Sequence, residues 1–170
     1  MRIATNILFG VLLLLLLVAP LNLPQSVQAL CNCTTPASTV ALQALYDSTG
    51  GVMWSDPWDM TSDDNLPCLG VTCDEGVVVS IDLSNRGLAG TLPSNLSSLS
   101  NISKFNVSSN NIHGTLPREL ASWSLMEMFD VSSNHLSGTL PAEYGLHWNH
   151  SASKQMYFHN NSITGTHVTA

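Results

Sequence analysis

Charged side chains are scarce in this sequence of 170 residues, where Asp, Glu, Lys and Arg together make up 10% of the chain. That share is well below the roughly one quarter that is usual for globular proteins. Only 5 residues are basic against 12 acidic ones, which gives a formal net charge of −7 at pH 7. A chain with so few cations offers no basic patch, so we expect neither a nucleic acid nor an anionic membrane surface as its partner.

Sequence motifs of catalysis are missing as well, since the chain has no nucleophile motif and no phosphate-binding loop. His113 and His135 fall at different offsets of the repeat described below, so we expect that they do not stack. His147 and His150 lie where the repeat spacing is longer, which favours a solvated loop. We therefore predict no enzymatic activity, no bound metal and no cofactor.

A long apolar run occurs only near the start of the chain. Arg2 precedes the run from Ile7 to Val18, Pro20 ends it, and Val27-Gln28-Ala29 suits a signal-peptidase site. The run has about a dozen residues, which is short of the roughly twenty that a membrane span needs. We interpret residues 1–29 as a secretory signal peptide; the alternative is an uncleaved membrane anchor.

What the sequence does contain is a repeat. Residues 81–93, 105–117 and 129–141 share one pattern, and their glycines at positions 90, 114 and 138 give it a period of 24. A poorer fourth copy, residues 156–166, arrives 27 residues later. A fixed period of this length indicates a solenoid, and the pattern L-x-L-x-x-N-x-L is typical of a leucine-rich repeat.

Each copy predicts a short strand followed by a turn. In Phe129-Asp130-Val131 apolar residues alternate with a polar one, as a strand with one buried face requires. Asn134 follows where the chain turns away from the sheet, and a buried amide there can pair with backbone groups of neighbouring coils. The same slot holds Asn110 and Asn161 but also Arg86. Because a guanidinium cannot accept hydrogen bonds, we expect this asparagine ladder to begin at the second coil.

The segment before the repeats predicts a cap. The apolar spacing from Thr39 to Ser48, followed by Gly50-Gly51, favours a short helix with a glycine stop. Val77 to Ile81 is apolar and β-branched, which favours the first strand of the sheet. We therefore divide the chain into a signal peptide at 1–29, a cap at 30–78 and about four repeats at 79–170, the last one degenerate.

The cysteines, Cys31, Cys33, Cys68 and Cys73, all follow the signal and favour disulfides, with three possible connectivities. We predict a bridge between Cys68 and Cys73, which would close a short loop. Cys31 and Cys33 are too close to pair without strain, so one of them would bridge elsewhere in the cap or to another chain. A metal site is the alternative, and it would need both cysteine pairs to converge in a reducing compartment.

Ala41 to Trp54 and Pro67 to Asp74 resemble the amino-terminal cap of plant-type leucine-rich repeat proteins, which include receptor-kinase ectodomains and polygalacturonase-inhibiting proteins. The repeats, with Ser-Gly-Thr-Leu-Pro and Phe-Asp-Val-Ser-Ser-Asn, resemble still more closely the leucine-rich-repeat surface antigens of kinetoplastid protozoa. The resemblance covers Cys31 to Thr166 and implies an α/β solenoid. That solenoid would be a short right-handed horseshoe with one parallel strand per coil and a helical, disulfide-bonded amino-terminal cap.

The chain departs from this family at two places. The two cap cysteines of the family enclose a longer segment with a Trp, whereas only Leu69 to Thr72 separate Cys68 and Cys73. The fourth copy replaces Leu-Pro by His167-Val168, and no cap or apolar segment follows. We expect this end either to be covered by a partner or to continue in a longer protein. Membrane association would then depend on an uncleaved signal or on a partner.

The repeat register predicts two columns of outward-facing side chains on the concave sheet. Neighbouring coils lie about 4.8 Å apart, so equivalent residues form ladders on one face. This face is the expected binding surface of a horseshoe, and plain solvation of the face is the alternative. The columns are Asp82, Asn106, Asp130 and Tyr157, and Ser84, Ser108, Ser132 and His159.

Sequons for N-glycosylation fit an extracellular product. We expect Asn106 to be poorly occupied because a glycan there would stand over the binding face, and we expect Asn32 and Asn149 to be well occupied. The predicted acceptors are Asn32, Asn95, Asn101, Asn106, Asn149 and Asn160.

These observations favour a secreted or cell-surface recognition or adhesion module that binds a protein or glycan and is not an enzyme. One alternative is an inhibitor of a secreted glycan hydrolase, by analogy to the plant inhibitors. Another is a glycosylated component of a surface coat. The sequence predicts no particular oligomeric state.

Overall fold

Two sheets run along the repeats in the computed structural model, which describes residues 33, 35–60, 69–148 and 154–165. The strands are β1 Val71–Asp74, β2 Val77–Asp82, β3 Ala89–Gly90, β4 Lys104–Asn106, β5 Asn111–Gly114, β6 Met128–Asp130, β7 His135–Thr139, β8 Gln155–Tyr157 and β9 Ser162–Thr164. The larger sheet has the order β1-β2-β4-β6-β8, and the smaller sheet has the order β3-β5-β7-β9. The predicted signal peptide lies outside the described residues.

The prediction of one strand per coil is wrong, because each described coil contributes one strand to each sheet. The second strand follows the ladder asparagine and also alternates in burial. Ile112 and Leu136 are fully buried, while His113 and His135 beside them are exposed. Between the sheets the chain returns through 3₁₀ helices at Ser94–Ser98 and Arg118–Ser122, and through the helix α2 at Ala142–His147.

The two sheets differ in register. In the larger sheet Ile81 pairs with Phe105 and Phe105 pairs with Phe129, so residues paired across β2, β4 and β6 are one full period of 24 apart (105 − 81 = 24). Phe129 pairs with Met156, which is 27 residues later, as the longer last repeat requires (156 − 129 = 27). In the smaller sheet Ala89 pairs with Asn111, so residues paired across β3, β5 and β7 are 22 apart (111 − 89 = 22). Across the longer last repeat, Ser137 of β7 pairs with Ser162 of β9, which is 25 apart (162 − 137 = 25). The smaller sheet is therefore staggered by two residues per coil relative to the sequence repeat.

The ladder asparagines pair with backbone groups of neighbouring coils, as predicted, and they also connect the two sheets. The side-chain oxygen of Asn134 accepts a hydrogen bond from the backbone N–H of Ile112 at 3.0 Å, in the smaller sheet. Its Nδ2 donates to the carbonyls of Val107 at 2.9 Å and Val131 at 3.1 Å, just beyond strands of the larger sheet. Asn134 is only 7% exposed, so these bonds satisfy backbone groups that water cannot reach.

The ladder begins at the second coil, which confirms the prediction for Arg86. Asn110 accepts from the backbone N–H groups of Arg86 and Leu88, both at 3.0 Å. The Arg86 guanidinium lies instead 3.1 Å from the Asp56 carboxylate of the cap. Asn161 continues the ladder, since its Oδ1 accepts from the N–H of the β7 residue Leu136 at 2.9 Å.

Aromatic side chains fill the space between the coils. Phe105 and Phe129 stack with ring centroids 5.6 Å apart, and the fully buried Trp123 packs 5.2 Å from Phe105. The Trp123 indole N–H donates to the carbonyl of Leu96, one coil earlier, at 3.0 Å. In the following coil, Trp148 packs against Phe129 in the same way. Within the described ranges, the buried indole N–H of Trp148 has no acceptor.

The cap helix α1 spans Pro36–Ser48, so it begins three residues before the predicted Thr39 (39 − 36 = 3). The reason is local, because Thr35 is an N-cap whose hydroxyl accepts from the N–H of Ser38 at 3.2 Å. Proline suits the first helical position because its missing N–H would be unpaired there anyway. Just beyond the helix, Gly50 has a φ of 68°, which agrees with the predicted glycine stop.

The disulfide joins Cys33 to Cys73, whose Cα atoms are 5.8 Å apart. A sulfur atom forms only one such bond, so the predicted pairing of Cys73 with Cys68 is wrong; Cys68 lies outside the described residues. The hairpin of β1 and β2 explains the choice, since Cys73 pairs with the buried Val78 and thereby faces the core where Cys33 lies.

The pairing with Cys33 also places a longer segment, which contains tryptophans, between the bonded cysteines. The bridge encloses the cap residues Trp54 and Trp58, which are each 4% exposed and pack edge to face at 4.8 Å. Tyr46 of α1 completes the cluster, with its ring 5.3 Å from that of Trp54. The tryptophans between the two bonded cysteines are therefore packed inside the cap.

A backbone seam joins the cap to the first coil. The carbonyls of Thr49 and Ser48, at the end of α1, accept from the N–H groups of Ala89 and Thr91 at 2.9 and 3.1 Å. Gly90 lies between them with a φ of 139°, and a Cβ on it would lie 2.0 Å from the Ser48 carbonyl oxygen. Only glycine fits this position without moving backbone.

Candidate binding face

The larger sheet aligns the first predicted column as expected. Asp82 pairs with Asn106, Asn106 with Asp130, and Asp130 with Tyr157, so the four side chains lie on one face of adjacent strands. Asp82 and Tyr157 are exposed, whereas Asn106 and Asp130 are half-buried. The register therefore places these residues together, and their role in binding stays a prediction.

The serine column is engaged within the protein. The Oδ1 atom of Asp82 accepts from the N–H and the hydroxyl of Ser84 at 3.1 and 2.8 Å. Asp130 makes the same two bonds with Ser132, at 2.9 and 2.6 Å, and Ser132 is only 5% exposed. These serines stabilise the turn after each strand, so they are poorly placed to contact a ligand directly.

Asn106 forms the same turn as its aspartate neighbours. Its Oδ1 accepts from the N–H and the hydroxyl of Ser108 at 3.0 and 2.8 Å. The carbonyl side of the amide is thus fixed, and its nitrogen is the atom left for the solvent side. Sequence alternation identified the column, but it gave no indication of these bonds.

A third column on the same face is absent from the sequence prediction. It stands two residues before the first column, where the same strand alternation continues, so the period-2 pattern was sufficient to find it. Lys104 and Gln155 are exposed, and neither side chain has a hydrogen bond or an ion pair within the described part of the chain. The column consists of Ser80, Lys104, Met128 and Gln155.

The last coil gives this face its aromatic end. Tyr157 is 38% exposed, and its ring meets the His159 imidazole edge to face with centroids 6.3 Å apart. Together with Lys104, Gln155 and the outer carboxylate oxygen of Asp82, these rings are the exposed groups of the face. The face therefore offers carboxylate, ammonium, amide and aromatic groups over neighbouring coils.

The structure contradicts two predictions about the histidines, one for the pair His113 and His135 and one for His147. His113 and His135 are register partners in β5 and β7, so the prediction that they do not stack on adjacent strands is wrong. The two-residue stagger of the smaller sheet brings together positions that the repeat offset separates. His147 is the last residue of α2 and is exposed, so the predicted loop is wrong there; His150 lies outside the described residues.

Tyr144 has a hydroxyl with a strongly raised pKa, and its role is structural. Burial raises the pKa of the Tyr144 hydroxyl well above its usual range, and the nearby carboxylates of Glu119 and Glu143 raise it further. The hydroxyl donates to the carbonyl of Pro117 at 2.8 Å. Tyr144 therefore stays protonated and ties α2 to the preceding coil.

The predicted glycan acceptors occupy different surfaces. Asn95, Asn101 and Asn160 are exposed, and Asn106 is half-buried on the sheet face. Asn160 also donates through Nδ2 to the Ser133 hydroxyl at 3.2 Å. The remaining two predicted acceptors, at positions 32 and 149, lie outside the described residues.

Comparisons with known proteins identify the fold. A family model described as a leucine-rich repeat matches residues 101–123. The structure of the ectodomain of the receptor kinase SOBIR1 from Arabidopsis thaliana superimposes with a TM-score of 0.61 and 21% identity, over 76% of this chain and 69% of that chain. The chain thus has the solenoid fold of plant leucine-rich-repeat ectodomains.

Two longer proteins share this fold. The PEPR1–AtPEP1 structure matches with a TM-score of 0.64 and 22% identity, over 77% of this chain and 19% of that chain. The ectodomain of GASSHO1/SCHENGEN3 from Arabidopsis thaliana, in complex with CASPARIAN STRIP INTEGRITY FACTOR 2, matches with a TM-score of 0.62 and 24% identity, over 76% of this chain and 16% of that chain. The chain therefore spans less than a fifth of each of these two proteins.

Neither helix in the described ranges combines the length and the apolar character that crossing a membrane requires. The Cys33–Cys73 disulfide fits an oxidising compartment, such as the extracellular space.

Proposed function

We propose that this protein is a non-catalytic extracellular recognition module whose larger sheet binds an extended segment of a protein ligand. The observation that carries the proposal is that this sheet has two kinds of polar side chain, those that stabilise the turns and those that face the solvent. The turn residues are satisfied within the chain, while Lys104, Gln155 and Tyr157 present polar groups without partners in the described residues. The sheet fixes the backbone beneath these groups, so binding does not have to order that backbone.

The charge of this face suggests how a ligand is selected. Asp82 and Asp130 flank Asn106 along one column, and each uses only Oδ1 for its turn. Their outer oxygens accept from a ligand, while the Lys104 ammonium one column away repels cations. A segment with both basic and acidic groups, in an order fixed by the coil spacing of about 4.8 Å, fits this arrangement.

The fold supports a protein ligand by analogy only. The GASSHO1/SCHENGEN3 ectodomain is solved in complex with CASPARIAN STRIP INTEGRITY FACTOR 2, but fold alone does not determine function. We also propose a cleaved signal at 1–29, a cap at 30–78, repeats at 79–170, and kinship with kinetoplastid surface antigens. A glycan ligand is the alternative for the same face.

Site-specific photo-crosslinking tests the proposal. A photoreactive amino acid replaces Gln155 on the larger sheet or, as the matched control, Ser137 on the smaller sheet; both residues are exposed strand positions. After incubation with extracellular fractions of the native host, we expect a discrete protein adduct from position 155 that Lys104→Glu and Tyr157→Ala remove. Equal adducts from both positions, or none from position 155, would refute binding at this face.

A surface-coat role is a second candidate, because three of the predicted glycan acceptors are exposed around the coils. Whether Asn106 carries a glycan distinguishes the two proposed functions. Since its Oδ1 is fixed on the binding face, a glycan on its nitrogen would project over that face. Site-resolved glycopeptide mass spectrometry should find Asn106 poorly occupied if the face binds a protein. Near-complete occupancy would mean that the face is masked and would favour the coat role.

A further inference from the structure

A pair of imidazoles stands on the outer face of the smaller sheet. His113 in β5 and His135 in β7 are register partners, and both are exposed. Their neighbours Ile112 and Leu136 are fully buried, so the alternation of the strands directs both imidazoles to the solvent side. The proposed protein-binding face is on the other sheet and does not use this pair.

The backbone under the pair is held by hydrogen bonds. The Ile112 N–H donates to Asn134 Oδ1 at 3.0 Å, and the Leu136 N–H donates to Asn161 Oδ1 at 2.9 Å. Each bond fixes the residue next to one histidine. The two side chains therefore start from fixed positions on adjacent strands, which lowers the entropy lost when both bind one ion.

The geometry suits a chelate. Neighbouring strands lie about 4.8 Å apart, so the Cβ atoms of paired residues have a similar separation. An imidazole nitrogen binds Zn²⁺ at about 2.0–2.1 Å, so two ligands at neighbouring positions of one ion lie about 3 Å apart. Two imidazoles on adjacent strands reach that separation by rotation of their side chains alone.

We propose that His113 and His135 form a two-imidazole site for a divalent transition metal ion, with the order of affinity Cu²⁺ over Ni²⁺ and Zn²⁺. Neutral imidazole suits these ions, whereas Ca²⁺ and Mg²⁺ prefer oxygen ligands. Within the described ranges no group of three or more His, Cys, Asp or Glu side chains converges to hold a metal. The remaining coordination positions therefore belong to water or to an external ligand, which makes the site open.

The repeat itself supplies conservative variants. Asn111 is equivalent to His135 one period earlier (135 − 111 = 24), and Ser137 is equivalent to His113 one period later (137 − 113 = 24). His135→Asn and His113→Ser thus place at each position a residue that the neighbouring coil already accommodates. His159→Asn is the control, since His159 is also exposed but lies beside the other sheet.

Isothermal titration of the tag-free protein with Cu²⁺, and then with Ni²⁺ and Zn²⁺, tests the site. We expect one strong Cu²⁺ site that weakens about tenfold or more in His113→Ser and in His135→Asn, and that is unchanged in His159→Asn. Independently of any variant, the Cu²⁺ electron paramagnetic resonance spectrum should show coupling to two equivalent nitrogens. A strong site that survives either substitution, one lost in the control, or no site at all would overturn the proposal.

Discussion

Between the second and third coils, the contacts come from groups that recur in the sequence. Asn134 bridges the two sheets as Asn110 does one coil earlier, and Phe105 stacks on its equivalent Phe129. Between the cap and the first coil, the contacts come from groups that occur once. The carbonyls of Ser48 and Thr49 pair with the first strand of the smaller sheet, and Asp56 binds Arg86 in the slot of the missing asparagine.

The difference shows what a repeat encodes. A coil that packs on a similar coil can reuse one side chain at one position, so the pattern in the sequence predicts the contact. A coil that packs on a helix must match a different backbone, and this match depends on shape at single positions. Substitutions at equivalent residues of the cap–coil seam and of a coil–coil seam should therefore lower the free energy of unfolding by different amounts.

The largest difference between the cap–coil seam and a coil–coil seam is expected for substitutions of glycine. Gly90→Ala forces a Cβ to 2.0 Å from the Ser48 carbonyl oxygen, a backbone atom that cannot move without breaking the seam. Gly114→Ala places its Cβ 3.1 Å from the methyl group of Thr91, which is a side-chain contact. Both residues have a positive φ, so the strain of that conformation is common to both. We expect Gly90→Ala to lower the free energy of unfolding by about 3 kcal/mol and Gly114→Ala by about 1–2 kcal/mol.

Urea unfolding of both variants measures these free energies. Equal losses would show that the close approach at the cap seam contributes nothing beyond backbone strain. A larger loss in Gly114→Ala would reverse the comparison.

The second inequality lies within a coil–coil seam. Asn134→Ala leaves the buried Ile112 N–H without its acceptor, so we expect a loss of about 1–3 kcal/mol. The carbonyls of Val107 and Val131 keep their bonds from the ladder neighbours Asn110 and Asn161. Ser133 next to Asn134 is half-buried, and its hydroxyl accepts from the side chain of Asn160. Ser133→Ala should still cost less, within about 0.5 kcal/mol. Equal shifts of the unfolding midpoint would contradict the ladder.

These cases indicate how far the sequence could be read. The period of 24, the asparagine ladder from the second coil and the first column of the binding face all follow from side chains that recur with fixed spacing. The strand predicted at Val77 to Ile81 is present as β2, but it is not the first strand of the sheet, because β1 precedes it. The smaller sheet was missed because the segment after the ladder asparagine was interpreted as a turn, and because the register from β3 to β7 advances by 22 residues instead of the period of 24. The pairing of His113 with His135 was missed for the same reason, since equal offset does not mean adjacency in a staggered sheet.

The cap was predicted in outline only. The helix could be inferred from apolar spacing, but the partner of Cys73 depends on how the β1–β2 hairpin faces the core, which no spacing rule gives. On the candidate face, the bond of each serine to the residue two positions before it is a local motif with the form Asp-x-Ser or Asn-x-Ser. That motif was visible in the sequence, and it separates structural serines from exposed binding groups.

The third inequality compares two tryptophans in successive coils. Trp123→Phe removes the bond from the indole to the Leu96 carbonyl, which keeps its other bond from the Leu99 N–H at 3.0 Å, so we expect a loss of about 0.5–1.5 kcal/mol beyond the change in packing. Trp148→Phe removes an N–H that has no acceptor among the described residues, so it should cost less. Thermal unfolding by calorimetry compares them, and a larger loss for Trp148→Phe would indicate an acceptor outside the described ranges.

The smallest effect is expected at the ion pair that replaces the ladder in the first coil. Arg86 and Asp56 lie 3.1 Å apart, but the Asp56 side chain is 59% exposed, so water screens the pair. A double-mutant cycle with Arg86→Ala, Asp56→Ala and the double variant should give a coupling free energy of about 0.2–1 kcal/mol that decreases in 1 M salt. Asn110→Ala, in the same slot one coil later, is the matched control and should cost about 1–3 kcal/mol at either salt concentration, because its bonds are buried and neutral. A coupling as large as the loss in Asn110→Ala would mean that the pair fastens the cap as strongly as the ladder fastens the coils, and the two kinds of seam would then differ in chemistry but not in strength.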